Sequence, residues 1–177
     1  MFIKRAYSDL IEEKAVQGKV LIVYGPRQVG KTTLIRQWLK SQKGRVYSTT
    51  GEDMATAQKL SQMSQDVLRR SFGDLDLLFI DEAQAIPNVG KGLKLLVDTL
   101  PDLRVVVTGS SSFELAGETD EPLVGRKRTL TLYPFSFREL KEEFGSAETE
   151  SRLDSMLIYG MYPEVSLAKT DRAKRVA

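Results

Sequence analysis

The sequence predicts an α/β fold in three layers, with a central parallel sheet and helices on both faces. Three apolar runs carry that reading: Val20-Leu21-Ile22-Val23-Tyr24, Leu75 to Ile80 and Leu103 to Thr108. Each is continuous rather than alternating, as strands buried on both sides are. Each is also spaced from the next by stretches with helical periodicity, which implies crossovers and a parallel sheet.

The first run closes on Gly25-Pro26, a turn signal. Lys31 to Lys40 then reads as a helix with Leu34, Trp38 and Ile35 facing inward, and Trp38 sits at core spacing. Arg45 to Thr49 is a weaker strand. Asp53 to Arg70 reads as one helix, with Ala57, Leu60, Met63, Val67 and Leu68 on one side. Gly90 to Leu100 repeats the pattern with Leu93, Leu96, Val97 and Leu100. Arg128 to Tyr133 alternates apolar and polar residues and suits an edge strand. Ser136-Phe137-Arg138-Glu139 has capping-box spacing and opens a helix. Leu153 to Tyr159 is a further helix, ended or bent by Tyr162-Pro163. Ser110 to Leu123, rich in Ser, Gly, Glu and Asp, reads as a mobile loop. These elements divide the chain into a core over residues 1–135 and a helical extension over 136–177.

Composition narrows the chemistry. The 177 residues suffice for one domain, with 41% hydrophobic and 28% charged residues and a net charge of +2. That charge draws the chain to neither nucleic acid nor membrane as a whole. Cysteine and histidine are both absent, which excludes disulfides, thiolate metal sites and histidine triads. Catalysis is left to carboxylates, Lys, Arg, hydroxyls and the backbone. No signal peptide is visible, and no apolar run approaches the about 20 residues that span a bilayer, so a soluble cytoplasmic protein is expected.

Gly25-Pro26-Arg27-Gln28-Val29-Gly30-Lys31-Thr32 matches G-x-x-x-x-G-K-[ST] in full, after a strand and before a helix. The two glycines permit backbone angles that a side chain would block. The loop amides and the start of the following helix can then bind phosphate oxygens. Lys31 would reach the β- and γ-phosphates, and the Thr32 hydroxyl would ligate Mg²⁺. Thr33 completes the candidate binding segment. Arg27 is expected to face solvent or a neighbouring molecule.

Leu77-Leu78-Phe79-Ile80-Asp81-Glu82 is an apolar strand that ends in two acids, where ligands of open α/β sheets bind. Asp81 can hold Mg²⁺, and Glu82 can polarise a water aimed at the γ-phosphate. No Asn-Lys-x-Asp follows, so guanine selection by that route is absent, and the paired acids favour ATP hydrolysis. The third strand ends in hydroxyls, of which Ser110 or Thr108 could bond the attacking water or the γ-phosphate. Arg126, after Leu123-Val124-Gly125, is a candidate for stabilising transition-state charge; otherwise it belongs to a solvated basic cluster.

Taken in order, these segments resemble a known group. The cradle and its continuation Thr33-Leu34, Phe79-Ile80-Asp81-Glu82-Ala83-Gln84, Val107-Thr108-Gly109-Ser110-Ser111-Ser112, Leu123-Val124-Gly125-Arg126 and Leu132-Tyr133-Pro134-Phe135-Ser136-Phe137-Arg138-Glu139-Leu140 are similar to those of prokaryotic AAA-like ATPases of the archaeal-ATPase and STAND-related group. The likeness runs from about Arg5 to Val165. It implies an additional-strand, AAA-like P-loop NTPase fold that binds ATP and Mg²⁺. The cradle and the acidic strand tip would lie side by side, with the two motifs on neighbouring strands. Lys31 and Thr32 would meet phosphate and Mg²⁺, Asp81 would hold Mg²⁺, Glu82 would activate water, Ser110 would sense the γ-phosphate and Arg126 would be the candidate arginine. Gln84 matches a frequent position without a firm role. Such proteins usually continue into a second domain that engages DNA or protein, so the 136–177 extension either opens a domain that is cut short or belongs to a short member. Homo-oligomerisation is expected if Arg126 acts on a neighbour. The alternative to a turning-over ATPase is a nucleotide-dependent switch with slow hydrolysis.

Overall fold

A computed structural model describes residues 3–110, 123–168 and 170–175. Residues 111–122 of the expected mobile loop lie outside the described residues. Five strands, β1 (Val20–Tyr24), β2 (Val46–Thr50), β3 (Leu77–Asp81), β4 (Arg104–Thr108) and β5 (Lys127–Thr131), form one sheet in the order β2-β3-β4-β1-β5. Every adjacent pair is parallel. β1, β3 and β4 are the apolar runs of the sequence. They occupy the centre because only there are both faces of a strand covered. β5 takes an edge, as its alternation suggests, although it starts one residue earlier than expected.

Alternate residues of each central strand feed opposite faces, which makes two cores. On one face Val20, Ile22, Leu78, Ile80, Val105 and Val107 pack with Leu60, Leu68, Phe72, Leu93 and Leu96. Those helical residues come from α3 (Met54–Ser61), α4 (Gln65–Phe72) and α5 (Val89–Thr99). On the other face Leu21, Val23, Phe79 and Val106 pack with residues of α1 (Ser8–Lys14) and α2 (Lys31–Leu39). Trp38 of α2 is buried there and its indole donates to Glu12 Oε2 at 2.7 Å. The three-layer α/β architecture is therefore as expected.

The helix expected over 53–70 is two helices. Met63 takes a left-handed backbone (φ 51), and the Ser64 hydroxyl accepts from Val67 N to cap a fresh start. Leu60 and Leu68, one from each helix, reach the same core, while Met63 turns outward. The helical pattern was correct, but the competing cap of Ser64 outweighs continuation.

After β5 the described residues form five short helices: α6 (Phe137–Phe144), α7 (Ser146–Ser151), α8 (Leu153–Tyr159), α9 (Pro163–Leu167) and α10 (Asp171–Lys174). Ile3, Phe135 and Leu140 make a small third core with Phe144, Met156 and Met161. The capping box of α6 forms as its sequence implies, with reciprocal bonds between Ser136 and Glu139. Glu139 also does more. It is 2% exposed and faces Arg5, itself 4% exposed, with Nε to Oε1 at 2.9 Å. Ala6 N donates to the same oxygen at 2.9 Å. The Arg5 guanidinium further donates to Val29 O at 3.2 Å and Tyr133 O at 2.5 Å, and lies over the Phe135 ring.

Burial alone would raise the Glu139 carboxyl. The bonds from Ser136 N and Ala6 N, and the Arg5 charge, outweigh burial and hold it below its ordinary value of 4.5. A carboxyl depressed in the fold contributes stability above its unfolded value and loses it as pH falls through the folded one. Denaturation midpoints of the parent should therefore fall as pH drops below about 4.5, and Glu139→Ala should lose that part of the pH slope. At neutral pH this substitution strands the buried guanidinium and should cost about 3–5 kcal/mol in urea unfolding.

Candidate functional site

β1 delivers the chain to the cradle at full burial, since all five of its residues are enclosed. Gly25 has φ 154, and a Cβ there would sit 2.4 Å from Leu132 O, so the start of the loop is pressed against the chain leaving β5. Leu132 N donates to Tyr24 O at 2.8 Å and locks that contact. Gln28 (φ 61) and Gly30 (φ 94) turn the loop back, and Gly30 O accepts from Leu34 N at 2.9 Å to open α2. Val29 is the loop's anchor: its side chain is fully buried in the α1–α2 core, and its carbonyl is held by Arg5. Arg27 is exposed, as expected, and so are Gln28 and Thr33.

Lys31 is 5% exposed. Its Nζ donates to Gly25 O at 2.9 Å and Pro26 O at 2.8 Å, across the mouth of the loop. Burial lowers its pKa below the ordinary value. Glu82 and Asp81 oppose that shift, and Arg27 adds to it. The ammonium is thus poorly solvated, so an added anion gains strongly from it, while the two carboxylates offset part of that gain.

The cradle follows β1, the acids follow β3, and β4 runs between these two strands. The expectation of neighbouring strands is therefore corrected, because β4 is inserted between them, yet the side chains of the two motifs meet. Thr32 Oγ1 donates to Asp81 Oδ1 at 2.9 Å, and Thr108 Oγ1 at the end of β4 donates to the same oxygen at 2.5 Å. The Thr108 hydroxyl also accepts from Glu82 N at 2.9 Å. Glu82 has a left-handed backbone (φ 49, ψ 49) where the strand gives way to the 3₁₀ turn Ala83–Ala85. Gly51 N donates to Asp81 O at 2.7 Å, and a Cβ on Gly51 would meet Glu82 O at 2.4 Å. Gln84 Nε2 donates to Glu82 Oε2, while its Oε1 is buried without a hydrogen-bond partner.

The fold therefore gathers Lys31, Thr32, Asp81 and Glu82. Ser110 is half-buried just past the end of β4, where Gly109 N donates to Val23 O at 3.1 Å. Arg126 is not gathered. Its carbonyl accepts from Val20 N at 2.8 Å, at the opposite end of β1 from the cradle. One strand length, about 15 Å, separates it from the site, and its Nε pairs with Asp98 Oδ1 at 2.5 Å. Arg126 stands away from this chain's own cradle because β5 runs parallel to β1 and begins at the sheet's far end. Thr108 was legible only as one of two candidate hydroxyls. Arg5, Gly51 and the residues of the 160–164 segment carried no motif of their own.

Thr32 and Asp81 supply hard oxygen donors, and among the described residues no group of three His, Cys, Asp or Glu could hold a metal ion. Such a sparse set suits Mg²⁺, which keeps few protein ligands and fills its shell with phosphate and water.

Residues 17–141 match the AAA domain family. The chain belongs to that family. The AAA domain is similar in fold to the Walker-type ATPase of Pyrococcus abyssi, with TM-score 0.60 and 19% identity over 92% of this chain and 65% of that one. A STAND protein with a tetratricopeptide repeat sensor from Pyrococcus horikoshii gives 0.56 and 15% over 93% and 29%. Domain III of the replication initiation protein DnaA from Thermotoga maritima gives 0.53 and 16% over 98% and 82%. The AAA domain thus spans less than two thirds of the first two proteins. No curated protein matches its sequence. Family and fold make it a nucleotide-binding domain of the ATPase type. Among its described residues, no helix is long and apolar enough to cross a membrane.

Thr108→Val should leave Glu82 N–H unpaired and Asp81 short of one donor, at a cost of about 1–3 kcal/mol in thermal or urea unfolding. Thr108→Ser should restore most of it. Equal stabilities for the valine and serine variants would show that the hydroxyl holds nothing together.

Proposed function

We propose that this AAA domain binds ATP with Mg²⁺ and hydrolyses the γ-phosphate bond. The observation that carries the reading is the convergence of Thr32 and Thr108 on one Asp81 oxygen, beside a desolvated Lys31. Loop amides from Gly25 to Thr33 and the start of α2 cradle the phosphates. Lys31 leaves its two carbonyl partners for phosphate oxygens, which return more than neutral acceptors do. Thr32 and Asp81 would hold Mg²⁺, which neutralises charge on the phosphate oxygens when bound. Glu82 accepts a hydrogen bond from the attacking water and orients it, and Ser110 bonds the same water or the terminal phosphate.

A second cleft, of about 500 Å³, suits the base. Tyr7, Tyr133, Phe135, Met161 and Tyr162 give it a mostly apolar, aromatic wall. Tyr162 lines it, and the next residue, Pro163, lines the cleft that holds Lys31 and Thr32. Arg126 faces away from this chain's nucleotide. It contributes to catalysis only in an assembly that presents it to a neighbouring copy, with Asp98 releasing it. DNA or protein partners would act through the helical extension and whatever chain adjoins it.

One observation favours a slow switch as the second reading: the Gln84 amide occupies Glu82 Oε2, an oxygen that water activation would use. Titration and phosphate release decide between them. Lys31→Ala should weaken ATP binding about 100-fold. Glu82→Gln should bind ATP about as well as the parent and release phosphate about 100-fold more slowly. Parent turnover no faster than that of Glu82→Gln would favour the switch. Absence of adenine nucleotide uptake by the parent would overturn both readings.

A further inference from the structure

The helical extension reaches the phosphate cleft through two residues, Pro163 and Glu164, and the second carries the wrong charge for the ligand. The cleft, about 340 Å³, is lined by Lys31, Thr32, Glu82 and Glu164 among others. One cation and two carboxylates therefore face a site built for polyphosphate. Glu82 has a use for its charge; Glu164 has none in binding or in water activation.

Its position is not incidental. Phe135 N donates to Met161 O at 2.9 Å and ties the segment to the chain leaving β5. Tyr162 packs on the core that contains Val29. Pro163 Cγ lies within 3.9 Å of where a Cβ on Gly30 would stand. Three contacts thus seat the backbone directly beside the cradle, and Glu164 follows on the first turn of α9. Its side chain is exposed, so neither packing nor a buried partner requires an acid there.

We propose that Glu164 makes the cleft discriminate between nucleoside di- and triphosphates, favouring the diphosphate. The inference rests on the ATP reading above and extends it. ADP and ATP differ by about one charge at the phosphate end. That extra charge enters a cleft that a carboxylate of the extension lines, so the seated extension and the terminal phosphate disfavour one another. Coupling of this kind is reciprocal: if the seated segment weakens ATP, ATP loosens the seated segment by the same factor. The extension then registers whether the terminal phosphate is present, and hydrolysis lets it settle again.

The test is equilibrium titration of the whole chain with ADP and with a nonhydrolysable ATP analogue, with Mg²⁺ and with EDTA, for the parent and Glu164→Gln. The glutamine variant should bind the triphosphate about tenfold more tightly, or about 1.4 kcal/mol, and ADP within about twofold. The change should persist in EDTA, and Glu164→Lys should push it further. In the parent, the triphosphate should speed amide exchange across residues 161–166 more than ADP does, a difference that Glu164→Gln should abolish. An unchanged ratio of the two affinities overturns the proposal and leaves the ATP reading intact. Weaker triphosphate binding by Glu164→Gln, seen only with Mg²⁺, also overturns it and makes the residue a helper of the metal. A parent that binds neither nucleotide sinks both readings at once.

Discussion

A single carboxylate oxygen organises the upper rim of the sheet. Asp81 Oδ1 accepts from Thr32 at the head of α2 and from Thr108 at the tip of β4. These residues belong to three elements whose strands are not all neighbours. An acceptor with a full charge holds two hydroxyl donors more firmly than a neutral one would. The arrangement also fixes Glu82, because the Thr108 oxygen that donates to Asp81 accepts from the Glu82 amide. The left-handed turn at Glu82 is therefore held from both sides, by Thr108 and by the carbonyl crowded against Gly51. Strain of that sort persists only where surrounding contacts over-determine it.

A second buried charge does for the loop what Asp81 does for the strand tips. The Arg5 guanidinium joins the N-terminal segment, the cradle carbonyl of Val29, the chain after β5 and the cap of α6. A buried ion pair is often a poor source of net stability, because desolvation offsets the attraction. Here the fork of donors serves geometry: it meets acceptors from three segments that no hydrophobic side chain could hold in register. The cradle is thus fastened to the helical extension as well as to the sheet.

The central strands were legible because burial on both faces leaves an uninterrupted apolar run. The cradle was legible because its backbone demands glycine at two places and the motif adds a cationic side chain at a third. The two-part α3–α4 stretch was not, because Ser64 is a good cap yet also tolerable within a helix. Whether Arg126 meets its own chain's cradle was not legible, for a topological reason: a residue just before a parallel strand lies at the far end from residues just after its neighbour. Arg5 looked like any basic residue near a terminus. Its partner Glu139 was recognisable as a cap, but nothing in the capping pattern tells that an arginine more than a hundred positions away completes it. Glu164 was invisible for the same reason, since its meaning lies in what the fold sets opposite it.

The chain has one tryptophan, and α2, which starts at Lys31, carries it at Trp38 near its other end. Its indole is enclosed and bonded to the Glu12 carboxylate. The protein consequently contains a native optical probe on the very helix that Lys31 and Thr32 open. Any tilt or slide of that helix alters the polarity around a single emitter, so its fluorescence can be followed without a label.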